Sequence, residues 1–148
     1  MDVLAGLRVV VDQERYCIAR DATLIVILLR GEIPDEVSDA WRAAVQAEFD
    51  ANGVPRFGYV DTRAAVPTSS LAARMRSAAF LRRGAQQMTS VALVVSEKTS
   101  FMIKTVLRVA GLSNVHFVES SEADAVFRKL RDGVDLGKSV EMSSTTTS

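Results

Sequence analysis

The chain predicts a mixed α/β fold. It should be a single domain holding a mostly parallel sheet, with N-terminal antiparallel strands and about four helices. Three observations carry this expectation. Three β-rich segments come first, separated by gaps too short for anything but hairpins. Helical periodicity then alternates with short buried strands, in the order β-β-β-α-β-α-β-α-β-α, which is the pattern of parallel crossovers. The run Leu24 to Leu29 (LIVILL) is apolar at every position, as befits a central strand covered on both faces.

The first three strands are Leu7 to Val11, Arg15 to Ala19 and Thr23 to Gly31, with polar turns at Asp12 to Glu14 and Arg20 to Ala22. Pro34 and Asp35 then open a helix, with Glu36 in a first turn that favours negative charge. Val37, Trp41, Ala44, Val45 and Phe49 form its apolar stripe, and Asn52 with Gly53 ends it. A fourth strand, Arg56 to Asp61, leads through Thr68, Ser69 and Ser70 into a second helix over roughly 69–81. Leu71, Met75, Ala78 and Ala79 share one face of that helix. Arg82 would fall on the same face, so the helix is expected to end or kink there. Ser90 to Ser96 is a buried strand. Residues 100–111 read as a third helix, closed by Gly111, and Asn114 to Glu119 as the last strand. Ser121 with Asp124 resembles a capping box for a final helix with Ala123, Val126, Phe127 and Leu130 inward. The domain is expected over 1–132, followed by a polar, disordered tail over 133–148.

At 148 residues the chain suits one domain with a real core. Lys+Arg and Asp+Glu balance at 18 each, so no overall field draws in nucleic acid or an anionic membrane. The single cysteine, Cys17, excludes an internal disulfide and fits a reducing compartment. No signal-like N-terminus is seen, and no apolar run approaches the ~20 residues of a membrane span. A cytoplasmic location follows as an expectation.

The glycines Gly31, Gly53, Gly58, Gly84 and Gly111 are isolated, so no phosphate-cradling loop can be built from them. His116 is alone in its strand; a triad with one of the serines is conceivable, but an ordinary strand histidine is the simpler reading. Cys17 reads as a small buried hydrophobe. With no catalytic constellation, no metal cluster and no cofactor motif, an enzyme is not expected. Arg63, Arg74, Arg76, Arg82 and Arg83 form the one local basic concentration, either a solvated helix face or a protein-docking surface. Thr68, Ser69 and Ser70 offer more hydroxyls than one helix cap needs. A phosphate there would gain from the helix dipole and from Arg74.

The stretch "FGYVDTRAAVPTSSLAARM", the central strand with its following helix, and the C-terminal "VALVVSEKTSFMIKTVLRVAGLSNVHFVESSEADAVFRKL" resemble the STAS family of anti-sigma-factor-antagonist domains. The likeness is greatest to its divergent SpoIIAA-like (STAS/SEC14) branch, and it covers about Leu7 to Asp132. Typical members carry Asp-Ser-Ser-Gly at the strand-to-helix loop, and the second serine is phosphorylated by a kinase. Here "TSSL" stands in that place. The resemblance therefore marks Ser70, with Ser69 beside it, as the phosphoacceptor position, while Thr68 replaces the acid and Leu71 the glycine. With the motif altered in this way, a recognition loop that is not phosphorylated is expected.

What the resemblance implies is a bacterial regulatory module that binds rather than reacts. The leading expectation is a protein partner met by Thr68, Ser69, Ser70, Arg63, Arg74 and Arg76, with a homodimer compatible. The alternative is a small apolar or lipid-like ligand held between sheet and helices, with Met75, Phe80, Phe101 and Met102 as lining candidates. A pocket of several hundred Å3 would favour the second reading, and a filled core the first.

Overall fold

Arg8–Asp12 (β1), Tyr16–Arg20 (β2) and Leu24–Glu32 (β3) pair antiparallel in succession. Phe57–Val66 (β4), Ser90–Val94 (β5) and Val115–Val118 (β6) then add in parallel to β3. The six strands lie in sequence order across one sheet. This computed structural model describes residues 4–66, 68–96 and 114–137. Among them are three α-helices, Asp35–Asn52 (α1), Leu71–Gln86 (α2) and Ala123–Arg131 (α3). The helix expected over 100–111 lies outside the described residues, as do Phe101, Met102 and positions 138–148. No helix among the described residues is long and apolar enough to cross a membrane.

Strands that advance one place at a time through right-handed crossovers must carry their connecting helices on one face. Accordingly, Trp41, Val45 and Phe49 of α1 and Ala85 of α2 share a core with Ile25, Ile27, Leu29, Val60, Val91 and Leu93. The opposite face, with Leu24, Val26, Phe57, Tyr59, Ala92 and Val94, is covered by Ala123, Phe127 and Leu130 of α3 and by Leu136. The alternation along β4 shows the division: Tyr59 faces α3, whereas Val60 faces α1 and α2.

Trp41, Val45 and Phe49, spaced four apart, seat α1 on the sheet, and all are buried. Gly53 ends the helix at φ +84°, where its N–H donates to the Phe49 carbonyl; the left-handed turn is open to glycine without the Cβ clash. Glu48 lies on the same buried face and is met by Arg8 and by the buried Arg20. Asn52 Nδ2 also donates to the Glu48 carboxylate, at 3.0 Å, and Arg20 Nη1 donates to the Gly53 carbonyl at 2.6 Å. Hydrophobic periodicity gives no hint of this polar knot at the end of α1.

Four sequence expectations change. β4 runs on to Val66, pairing with Arg30 to Glu32 beyond a bulge that adds one residue to β4 between Asp61 and Ala64, although Thr62 to Ala65 lack an alternating apolar pattern. α2 does not end at Arg82, which is exposed, but runs unbroken to Gln86. Leu71, Met75 and Ala79 are exposed, and the buried positions of the helix are Ala73 and Ala85. The Ser121–Asp124 capping box does not form: a 3-10 turn, Ser120–Glu122, leads into α3, and the helix has no side-chain cap. Finally, packing extends past Asp132. Leu136 is buried, and Asp135 accepts a hydrogen bond from the buried Ser90 hydroxyl at 2.7 Å.

Candidate functional site

Between the sheet and the α1–α2 layer lies a cavity of about 310 Å3. Its cause is readable in the side chains. The residues α2 turns towards it include Ser77, Ala78, Gly84 and Ala85, and β4 contributes Gly58 beneath them. A helix laid on a sheet needs large side chains to fill the interval at normal packing density. These small residues leave it open. Ile25, Ile27, Leu29, Val60, Val91 and Leu93 form the floor, and Trp41, Val45, Phe49, Phe80 and Met88 contribute to the walls.

A seam fastens α2 to α1 along one edge. At its head, the Ser70 N–H and hydroxyl both donate to the Asp35 carboxylate at 2.7 Å. One turn further, the Ser38 and Ser77 hydroxyls meet at 3.0 Å, and Arg76 lies 3.6 Å from Asp39. Trp41 and Phe80 then stack edge to face, with ring centroids 5.8 Å apart. The two bonds from Ser70 hold the Asp35 carboxyl below its ordinary range.

The cavity opens where α2 begins. Leu71 and Met75 both line it and are 71% and 56% exposed, and Val66 at the end of β4 is also exposed. Polar groups in the lining are few: Ser38, Thr62, Ser69, Arg74 and Ser77. Thr62 Oγ1 is committed to the Val94 carbonyl at 2.8 Å, and Ser38 is paired with Ser77. Among the described residues Arg74 is the one charged side chain in the lining, and it belongs to the first turn of α2.

The three hydroxyls of the loop therefore have three different placements. Thr68 is exposed. Ser69 lines the cavity. Ser70 is the N-cap of α2, accepting from the Ala73 N–H at 3.1 Å while donating to Asp35. Met75 and Phe80 are in the lining, with Arg74. Arg63 is elsewhere. It shares its strand face with Tyr59 and is gripped by Asp61, with a further bond to Ser120 Oγ at 3.1 Å, on the side of the sheet away from α2.

His116 is half-buried, and burial pushes its pKa down. Its nearest serine–acid pair, Ser90 with Asp135, is one that sequence reading did not connect. Ser90 donates to Asp135 rather than to the imidazole, so the proton relay of a triad is not assembled there. Cys17 is buried, and burial pushes its thiol pKa up. Among the described residues no group of three or more His, Cys, Asp or Glu is placed to hold a metal ion. Tyr59 is fully buried with its hydroxyl unbonded, and its pKa is pushed up to about 12, chiefly by burial.

No family model matches the chain, and no curated protein matches it either.

Proposed function

We propose that this protein is a non-enzymatic binding module whose ligand is a small, mainly apolar molecule held between the sheet and α1–α2. The observation that carries this reading is the cavity of about 310 Å3, lined almost throughout by aliphatic and aromatic side chains. Ligand sites typically begin at about 300 Å3 and combine apolar walls with a few placed polar groups. Small residues on α2 and at Gly58 keep the space open, and an exposed apolar rim at Leu71 and Met75 gives access. The likeness to the SpoIIAA-like branch of the STAS family agrees with a binding role.

A second reading is favoured by the rim itself. Val66, Leu71 and Met75 present exposed apolar surface beside Thr68 and Arg76, which suits a protein partner at the strand-to-helix loop. Under either reading Ser70 serves as a cap and as a tie to α1. A phosphoryl group on its oxygen would face the Asp35 carboxylate, a like-charge contact.

The test is a chain-length series of neutral alcohols, 1-hexanol to 1-dodecanol, titrated by calorimetry. At about 30 Å3 for a water-sized group, the cavity takes about ten heavy atoms. Affinity should rise about fourfold per methylene, following ~0.8 kcal/mol for each one buried. It should then level off as the chain outgrows the space. A flat series, or no binding at any length, would defeat the reading.

A further inference from the structure

We infer that the cavity takes an uncharged chain molecule bearing one hydrogen-bond-accepting oxygen, a carbonyl in the simplest case, and that the Ser38–Ser77 hydroxyl pair holds that oxygen. This deepens the proposed function and rests on it. What carries it is a count of protons in a buried wall.

Ser38 is 3% exposed and Ser77 is half-buried, and both line the cavity. Their oxygens lie 3.0 Å apart, and among the described residues neither hydroxyl has another bond. Each hydroxyl carries one proton and can accept through its oxygen. The contact between them uses one proton, whichever serine donates. The other proton has no acceptor among the described residues. A serine within a helix can give its proton to the carbonyl one turn back, and here neither does so.

The remaining buried polar side chains are better provided for. Arg20 and Glu48 face each other and have further partners in the Gly53 carbonyl and Asn52, and Ser90 gives its proton to the Asp135 carboxylate. An unmet buried hydroxyl is destabilising, and two alanines would avoid it at nearly the same volume. An oxygen brought by a ligand meets the proton that the protein does not.

The position of the pair defines where that oxygen sits. Ser38 precedes Trp41 by one turn of α1, Ser77 precedes Phe80 by one turn of α2, and those two rings stack edge to face. Along α2 the hydroxyl therefore comes after the mouth residues Leu71 and Met75 and before the aromatic wall. Elsewhere the Thr62 proton is spent on the Val94 carbonyl, and the floor at Ile27, Val60 and Leu93 is hydrocarbon. A carboxylate beside the buried Ser38 would give up its water for a single donor. A carbonyl gives up less, accepts the one proton on offer and brings no proton of its own to place. The cavity takes about ten heavy atoms, the oxygen included.

The experiment compares 2-octanone with 2-methyl-1-octene, which match in shape, the alkene carrying a methylene where the ketone carries oxygen. Both are titrated against the wild type, Ser38→Ala, Ser77→Ala and the double variant. Trp41 is the only tryptophan of the chain and lines the cavity, so its emission reports occupancy. The ratio of ketone to alkene affinity should fall about tenfold from the wild type to the double variant, as expected when one buried hydrogen bond is lost. Each single variant retains one hydroxyl with its proton and should keep at least part of that ratio. Alkene affinity should be the same or higher in the double variant, which shows that the cavity persists. Infrared spectroscopy supplies a readout that needs no variant: the carbonyl stretch of ketone bound to the wild type should lie below its value in hydrocarbon solvent. A ratio unchanged in the double variant, or a stretch at the hydrocarbon value, would overturn the assignment of the oxygen and leave the cavity reading standing. Failure of both probes to bind the wild type would remove both.

Discussion

Gly84 offers the most direct way to ask whether the space beside α2 is open. It sits within Leu71–Gln86, and a Cβ built there would meet only Met88 Cε, at 4.0 Å, an ordinary contact. Its φ is not positive, so a side chain adds no backbone strain. Gly84→Ala should therefore stabilise by about 1 kcal/mol through helix propensity alone. Gly84→Leu adds three more carbons that can enter the cavity. At about 0.8 kcal/mol each they contribute ~2 kcal/mol, less ~0.5–1 kcal/mol for ordering the side chain. The net gain for the leucine variant is about 2 kcal/mol. Urea unfolding followed by circular dichroism would read it as a higher midpoint at unchanged slope. For a domain of this size the thermal midpoint should rise by several degrees. Loss of more than about 1 kcal/mol in Gly84→Leu is the signature of overpacking, and it would refute the reasoning.

Three further outcomes follow from the packing. Glu48→Ala leaves the buried Arg20 without its carboxylate and should cost about 3–5 kcal/mol in denaturant unfolding; a cost under 1 kcal/mol would mean that solvent reaches the knot. Tyr59→Phe removes a buried hydroxyl with no partner and should be neutral or stabilising, by up to about 1–3 kcal/mol; a marked loss would reveal a bond to that oxygen. The Asp35 carboxyl titrates below its ordinary 3.8 because Ser70 bonds its charged form. Its contribution is therefore complete above that value and lost as pH falls through the lower folded-state value. The stability gap between wild type and Asp35→Ala should be constant from pH 5 to 7 and narrow below about pH 4; a gap independent of pH would contradict the Asp35–Ser70 tie.

Much of the fold was legible because it follows from pattern. The order of strands and helices, the antiparallel start and the stripe Trp41, Val45 and Phe49 are consequences of period and connection length. The inward side of α2 was not legible. Leu71 and Met75 suggest a core face by hydropathy, yet they rim an opening, and Ala73, Ser77, Ala78 and Ala85 face inwards as small residues that hydropathy scarcely weights. A count of side-chain volume along that helix, with Gly84 among them, is the signal that would have found the cavity. Of the loop hydroxyls, Ser70 could be read as a cap, but its second partner, Asp35, lies 35 residues away in sequence. Arg63 was grouped with Arg74 by proximity in sequence, whereas strand alternation sends it to the other face beside Asp61. Ser90 and Asp135 are 45 residues apart, and nothing local couples them.

The central claim is that the cavity is a binding space. The measurement that tests it most directly is the titration of Trp41 fluorescence with 1-decanol in the wild type and in Gly84→Leu, both verified as folded. Saturable one-to-one binding by the wild type, weakened tenfold or more when leucine occupies the cavity, is the expected result. The same affinity in both proteins, or no saturable change in the wild type, would contradict it.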